Sequence, residues 1–195
     1  VAISSGCADL LRLHVRKPVT LIYNIAGEEF DVTTPRYAPR DAVTILCVGA
    51  ISAQKDYPTL VRAAALLRDR MGALSGGLRI RVAGGGPQLE QLRALAHTAG
   101  VGEIVEFLGP RSDVAELMAK ADLFVNSSLY EGLPVAIIEA MKAALPVVAT
   151  HVAGNCELVR SGETGTLVPS QDPAALARAI AEILGDPPTY EAMSR

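Results

Sequence analysis

The sequence predicts an α/β protein built on a doubly wound parallel sheet. From residue 43 onward, short apolar segments alternate with longer amphipathic ones, and the loops between them are short and often contain glycine. Half of the 195 residues are hydrophobic, yet aromatic residues make up only 4% of the chain. The core must therefore consist of Val, Leu, Ile and Ala, a composition typical of helices packed on a parallel sheet.

The first 35 residues differ from the rest of the chain. They predict a strand end at 1–4, a short helix at 5–14 and a strand at 18–23. The acids, prolines and threonines of 27–40 are typical of a connector between domains.

A domain boundary is therefore expected near residues 32–41. It divides the chain into 1–35, the end of a preceding domain with its linker, and 36–195, the main domain. Since the chain begins at Val1 without Met, we expect it to be part of a longer protein.

The alternation after residue 41 predicts six strands and six helices. The strands are expected at 43–48, 78–83, 104–108, 123–126, 146–149 and 165–168. The helices are expected at 57–70, 88–99, 113–120, from Pro134 onward, at 155–160 and at 172–184. Asp172 is expected to cap the last helix, with Pro173 at its first position. In such sheets ligands bind at the carboxyl ends of the strands.

Composition excludes several classes of function. A net charge of −3 provides no basic field for nucleic acid. The three cysteines are scattered, which favours reduced thiols in a cytoplasmic protein and argues against a metal cluster. No apolar run is long enough to span a membrane. The histidines lack metal-ligand spacing, and no serine lies in a hydrolase elbow.

A glycine-rich turn at 84–86 follows a predicted strand. A dinucleotide fingerprint needs another glycine where Leu89 stands, and the chain has no phosphate-loop lysine motif. The missing motifs argue against a nicotinamide or ATP module. A tight strand-to-helix turn explains the three glycines, and the alternative is a ligand that approaches this backbone closely.

The segment 126–141 predicts the ligand site. It joins a strand end to a helix through a Gly-Leu-Pro turn, and Pro134 is expected at the first helical position. The residue before Pro134 cannot cap the helix, so the amides of Val135 and Ala136 are expected to be free. Free amides at the positive end of a helix suit an oxygen-rich or anionic ligand.

Three charged residues are candidates for ligand contact, each with a structural alternative. Glu139 lies in an apolar helix, where it either meets ligand hydroxyls or pairs with Lys142 on the exposed face. Lys55 either faces a phosphate or, as is more common for lysine, is a solvated surface residue. Glu131, next to the turn, has a weaker case on its own.

The segment 131–139 resembles the Glu-x7-Glu signature of the family 4 retaining glycosyltransferases, which use nucleotide sugars and have the GT-B fold. Other family landmarks occur in the same order, at 48–49 with Lys55, 82–87, 105–109, 121–128 and 165–168. The segment 19–24 resembles the family's interdomain strand and turn. The resemblance covers about residues 1–185 and implies that this chain is the C-terminal, Rossmann-like donor-binding domain.

The resemblance implies a role for each site residue. Glu131 and Lys55 would be catalytic, with Lys55 neutralising the diphosphate and Glu131 holding the donor sugar. Glu139 would hold the ribose, and no metal or other cofactor is expected. The implied donor-binding residues are Gly49, Gly109, Arg111, Gly132, Leu133, Pro134, Val135 and Glu139.

Two positions depart from the family pattern. Ala50 stands where the family usually has an arginine that makes a second diphosphate contact. Asp56 stands where a glycine usually follows the lysine, and it is a candidate cap for the next helix.

The implied function is transfer of a sugar from a nucleotide diphosphate sugar to a hydroxyl acceptor with retention of configuration. Lipid-linked saccharide or polysaccharide assembly is the implied setting, in the cytoplasm, with peripheral association of the full-length protein at the inner face of a membrane. The isolated chain is expected to bind nucleotide without transferring sugar. A non-catalytic nucleotide- or sugar-binding module, favoured by Ala50, and a same-fold nucleotide-sugar 2-epimerase are the alternatives.

Overall fold

A computed structural model describes residues 1–32, 36–37, 42–71 and 77–195. Within these residues the sheet has six strands, all paired in parallel, in the order β3-β2-β1-β4-β5-β6. They are β1 Ala42–Val48, β2 Gly77–Ala83, β3 Val105–Gly109, β4 Leu123–Asn126, β5 Val147–Thr150 and β6 Gly165–Val168. The predicted fold class is confirmed.

Eight α-helices lie within the described residues. They are α1 Ser5–His14, α2 Tyr57–Met71, α3 Leu89–Thr98, α4 Val114–Lys120, α5 Val135–Lys142, α6 Ala153–Cys156, α7 Pro173–Gly185 and α8 Pro187–Met193. Asp172 caps α7, since its carboxylate accepts the amide of Ala175, and Pro173 is its first residue as predicted. No helix of the described residues is long and apolar enough to cross a membrane.

The centre of the sheet is buried on both faces, which explains why β4 and β5 are continuous apolar runs, whereas β2 and the edge strand β3 are partly exposed. In β1, Ile45 and Cys47 belong to one buried cluster with α2, α3, α7 and α8. Leu46, which points the other way, belongs to a second cluster with α4 and α5. Helices α2 and α5 therefore cover opposite faces of the sheet.

Three sequence predictions were wrong in detail. The expected strand at 18–23 is reduced to an isolated bridge between Ala2 and Leu21, and Ile22 and Tyr23 are exposed instead of pairing in the sheet. The short helix expected at 155–160 lies earlier, at Ala153–Cys156. Helix α8 was not predicted, because its two opening prolines resemble a stop signal although proline is tolerated in a first helical turn.

The predicted domain boundary near 32–41 falls mostly outside the described residues, but Arg36 within it is described. Its guanidinium donates to the backbone oxygens of Met118 and Ala121 at the end of α4, at 2.8 and 2.6 Å. A third bond, of 2.8 Å, reaches the oxygen of Ala143 at the end of α5. A cation is well placed there, because carbonyls at helix ends carry partial negative charge.

Replacing Arg36 with methionine is expected to lower the free energy of unfolding by about 2 kcal/mol, because three carbonyls lose a charged donor. Urea unfolding measures the change, with the exposed Arg62→Met as the matched control. Equal stabilities of the two variants would contradict the structural role of Arg36.

Candidate functional site

The candidate site lies where the direction of chain winding changes. Strands β1 and β4 are neighbours, but β1 leads into α2 on one face of the sheet and β4 leads into α5 on the other. The two connections diverge there, and doubly wound folds bind ligands in the crevice that such a divergence forms at the carboxyl ends of the strands.

Lys55 and Glu131 meet in this crevice, Lys55 after β1 and Glu131 after β4. The Lys55 Nζ lies 2.5 Å from the Glu131 Oε1, and the side chains are only 17% and 7% exposed. Lys55 is therefore not a solvated surface residue, and the surface interpretation was wrong. Gly49 leaves room for this lysine, because a Cβ there would lie 2.8 Å from the Lys55 Cε.

The Glu131 carboxylate is also held by polar side chains that were not predicted as site residues. The Ser128 hydroxyl donates to Oε1 at 2.7 Å, and the Asn126 amide donates to the same oxygen at 3.4 Å. The Asn155 amide donates to Asn126 in turn, at 3.3 Å, and Asn155 is completely buried. The polar run that directly follows the apolar strand β4 was the available signal for Asn126 and Ser128.

The turn after Glu131 packs against α6. The amide of Gly154 donates to the Glu131 backbone oxygen at 3.2 Å. A Cβ on Gly154 would lie 2.5 Å from the oxygen of Gly132, so glycine is required for this approach. The site therefore includes a backbone contact between α6 and the turn that the sequence did not reveal.

Helix α5 begins one residue later than predicted. Pro134 precedes the helix, because its ψ of 112° is extended and not helical. As predicted, no side chain caps the helix at Pro134. The first-turn amides of Val135 and Ala136 therefore remain at the positive end of α5, facing the carboxyl edge of the sheet.

Glu139 lies one helical turn beyond Val135, on the same face of α5. It is half-buried. Burial raises the pKa of its carboxyl above the usual range, and the nearby charge of Glu29 adds to the increase. The alternative pairing with Lys142 is wrong, since the Lys142 Nζ lies 3.3 Å from Asp31 instead.

Two other predicted positions lie at the end of the edge strand β3. Gly109 adopts a positive φ of 70°, and its backbone oxygen accepts the amide of Gly84 at 2.9 Å. Arg111 is exposed and makes two hydrogen bonds, of 2.7 and 2.5 Å, with Asp113. Because β2 and β1 lie between β3 and β4, these residues are not part of the Lys55–Glu131 cluster.

The structure shows what Asp56 and Ala50 do at the two positions that depart from the family pattern. Asp56 takes the left-handed conformation, with φ 43° and ψ 46°, that a glycine adopts easily. Its carboxylate accepts the Thr59 hydroxyl at 2.7 Å, so it binds a first-turn side chain of α2. Ala50 follows Gly49 at the end of β1, where a methyl group replaces the expected guanidinium.

Comparison with known proteins identifies the family. Residues 35–195 match the family model described as "Glycosyl transferases group 1". The chain belongs to this family. It is 41% identical over 112 residues to an exopolysaccharide phosphotransferase, SCO2592, from Streptomyces coelicolor, covering 56% of this chain and 12% of that protein. It is 36% identical over 137 residues to the putative glycosyltransferase EpsD of Bacillus subtilis, covering 70% of this chain and 35% of that one.

A solved structure shares the fold. The Anabaena protein HepE in complex with UDP and glucose matches with a TM-score of 0.86 and 23% identity, covering 99% of this chain and 55% of that one. This group 1 glycosyltransferase chain therefore spans little more than half of that structure, and less than half of the two curated relatives above. The described residues contain no group of three or more His, Cys, Asp or Glu side chains that could hold a metal.

Proposed function

We propose that this chain is the donor-binding unit of a retaining glycosyltransferase, which transfers a sugar from a nucleotide diphosphate sugar to a hydroxyl acceptor. One observation carries the proposal. A buried Lys55–Glu131 pair lies in the crevice between β1 and β4, beside an uncapped helix start with Glu139 on the same helix. Family membership and the UDP bound by a structural relative support a nucleotide sugar as the ligand.

The charges of the site suit a sugar diphosphate. Lys55 and the amides of Val135 and Ala136 would bind the diphosphate oxygens, because a lysine and a helix start both attract anions. Glu131 would accept hydrogen bonds from sugar hydroxyls, and Glu139 from the ribose. In this assignment the chain's own cation and amides serve the role that a metal ion has elsewhere.

The same groups would assist the chemical step. As the bond between the sugar C1 and the diphosphate oxygen breaks, its electron pair goes to that oxygen, and Lys55 stabilises the growing negative charge. The acceptor hydroxyl attacks C1 from the face that the leaving group vacates, which retains the configuration, and its proton passes to the departing diphosphate. The acceptor would bind outside this chain, so we expect the chain alone to bind the donor without turnover.

Ala50 favours the second candidate, a nucleotide-binding module without transfer activity. A missing charged diphosphate contact costs about 1.5–3 kcal/mol of binding free energy. Weak binding of every nucleotide sugar, with no preference for a sugar over the bare nucleoside diphosphate, would favour this candidate over the transferase.

Calorimetric titration with UDP, GDP and ADP sugars tests the proposal. The wild-type chain is expected to bind one class, and Glu139→Ala to weaken that binding by about tenfold or more, because a charged acceptor for the ribose is lost. The exposed Glu182→Ala is the matched control. Absent binding of all donors, or an affinity independent of Glu139, would contradict the assignment.

The affinity should also depend on pH through Glu139. Since burial raises the pKa of this carboxyl, it takes up its proton at a higher pH than an exposed glutamate. The protonated form is a poorer acceptor, so donor affinity is expected to fall as pH decreases through that raised pKa. Glu139→Gln, which has no charge to lose, should remove this part of the pH dependence.

A further inference from the structure

The N-terminal segment reaches the candidate site through one side chain. The Asn24 amide donates a hydrogen bond of 3.2 Å to the backbone oxygen of Leu133, which is buried in the turn that leads into α5. The start of the chain lies over the same turn, since a Cβ on Gly132 would be 3.7 Å from both the Cys7 Sγ and the Ile3 Cδ1. Residues far apart in sequence thus enclose the turn.

Asn24 is held in place on both sides. Before it, the amide of Ile22 donates to the oxygen of Ala2 at 2.8 Å, which ties the segment to the start of α1. After it, the Lys142 Nζ donates to the oxygen of Ala26 at 3.4 Å. Both hydrogen bonds restrict the segment, so Asn24 loses less conformational entropy when it binds Leu133.

The start of α1 is anchored independently by Glu157. Its carboxylate accepts the amides of Ser5 and Gly6 at 2.9 and 3.2 Å. These bonds satisfy first-turn amides of α1 and place a negative charge at the positive end of the helix. Glu157 directly follows α6, the helix that contacts the turn through Gly154, so α1 and α6 hold the turn from two sides.

The bond to Leu133 matters because this residue stands immediately before the start of α5. Pro134 has no amide hydrogen, and Val135 and Ala136 come next with their free amides. The orientation of the Leu133 peptide sets the entry of the chain into α5 and hence the direction of those amides. An unsatisfied buried carbonyl would also favour rearrangement of the turn.

We propose that Asn24 is a positioning residue of the donor site, which fixes the 132–135 turn so that the first amides of α5 face the diphosphate. This inference rests on the proposed function. It assigns the N-terminal segment a part in donor binding, which Asn24 would exert through its hydrogen bond to Leu133.

The test compares Asn24→Asp, Asn24→Gln and the wild-type chain. Asp has nearly the same shape but places an acceptor against the Leu133 oxygen, whereas Gln retains the amide donor. Asn24→Asp is expected to weaken binding of the nucleoside diphosphate by about tenfold and to leave the affinity for the parent nucleoside within about twofold. Asn24→Gln should recover part of the loss, and the exposed neighbour variant Tyr23→Phe should behave as wild type.

Amide hydrogen exchange gives a second readout that needs no ligand. In Asn24→Asp, faster exchange is expected in the 132–138 segment and unchanged exchange in α2 and α7, with urea unfolding confirming that the variant is folded. If the wild-type chain binds the nucleoside diphosphate and Asn24→Asp binds it equally well, the positioning role is wrong while the proposed function stands. An equal loss for the nucleoside and the diphosphate would overturn the positioning role too, because it would indicate a general structural effect. If the wild-type chain binds no nucleotide, the proposed function fails, and unchanged exchange at 132–138 would then refute the inference separately.

Discussion

Replacing Lys55 with methionine is expected to weaken nucleoside diphosphate binding by about 10- to 100-fold. The reason is the loss of a charge-assisted contact with the phosphates, typically about 1.5–3 kcal/mol. The variant should also unfold more easily, by about 2–3 kcal/mol, since Glu131 is only 7% exposed and would remain as a buried carboxylate without its cation. Calorimetry and urea unfolding measure the two effects.

The Glu131→Gln variant is the counterpart that separates the two roles of the pair. Glutamine keeps an oxygen for the Ser128 hydroxyl but no longer neutralises Lys55. We expect this variant to bind the nucleoside diphosphate more tightly, by about fivefold, because the lysine charge is then available to the phosphates. The additional affinity contributed by the sugar should fall, since a charged acceptor for its hydroxyls is lost.

The double variant completes a thermodynamic cycle. Lys55→Met with Glu131→Gln should be more stable than Lys55→Met alone, because no buried charge is left unpaired. A coupling free energy near zero would show that the ion pair contributes little to stability. Weaker diphosphate binding by Glu131→Gln would contradict the view that Glu131 and the phosphates compete for Lys55.

The architecture of the sheet was predictable because its central strands are buried on both faces. Apolar runs such as β1 and β4 place large apolar residues on both faces of the sheet, and that pattern distinguishes them from half-exposed strands. The segment 18–23 has a similar apolar pattern but no place in the sheet. Local sequence cannot distinguish these cases, because the difference lies in which neighbours are available for pairing.

The charged residues of the site could be named from sequence, but their arrangement could not. Lys55 and Glu131 are separated by 76 positions, and only the strand order brings the ends of β1 and β4 together. The choice between ligand contact and a Lys142 pair for Glu139 also depended on a distant residue. Asp31, far earlier in the chain, forms the ion pair with Lys142 instead.

The contacts of the residues that support the site leave even less trace in the sequence, although Asn24 and Asn126 lie in segments that resemble family landmarks. Asn24 contacts Leu133 across 109 positions, and the buried Asn155 reaches Asn126 across 29. A single asparagine in a loop has no periodicity that marks it as a support. Gly154 is equally inconspicuous in sequence, because the reason for its small size is a backbone from another part of the chain.

Gly154→Ala is expected to destabilise the protein by about 2–3 kcal/mol and to weaken donor binding as well. In a helix, alanine normally replaces glycine with a gain of about 1 kcal/mol. Here the new methyl group would lie 2.5 Å from the Gly132 oxygen and 2.8 Å from the Glu131 oxygen, so backbone must move. Gly185→Ala, at the end of α7, is the matched control, because a Cβ there meets nothing within 4 Å.

Only the Gly154 variant should therefore lose stability. Gly185→Ala is expected to be neutral or slightly stabilising by urea unfolding and to bind donor as the wild type does. Gly154→Ala is expected to move the turn that carries Glu131 and leads into the amides of α5. Its loss of donor affinity should therefore exceed any loss in Arg36→Met, because Arg36 binds the carboxyl end of α5, away from the crevice. If Gly154→Ala is destabilised but binds donor normally, the turn is not rigidly coupled to the site, and the positioning role of its backbone is wrong.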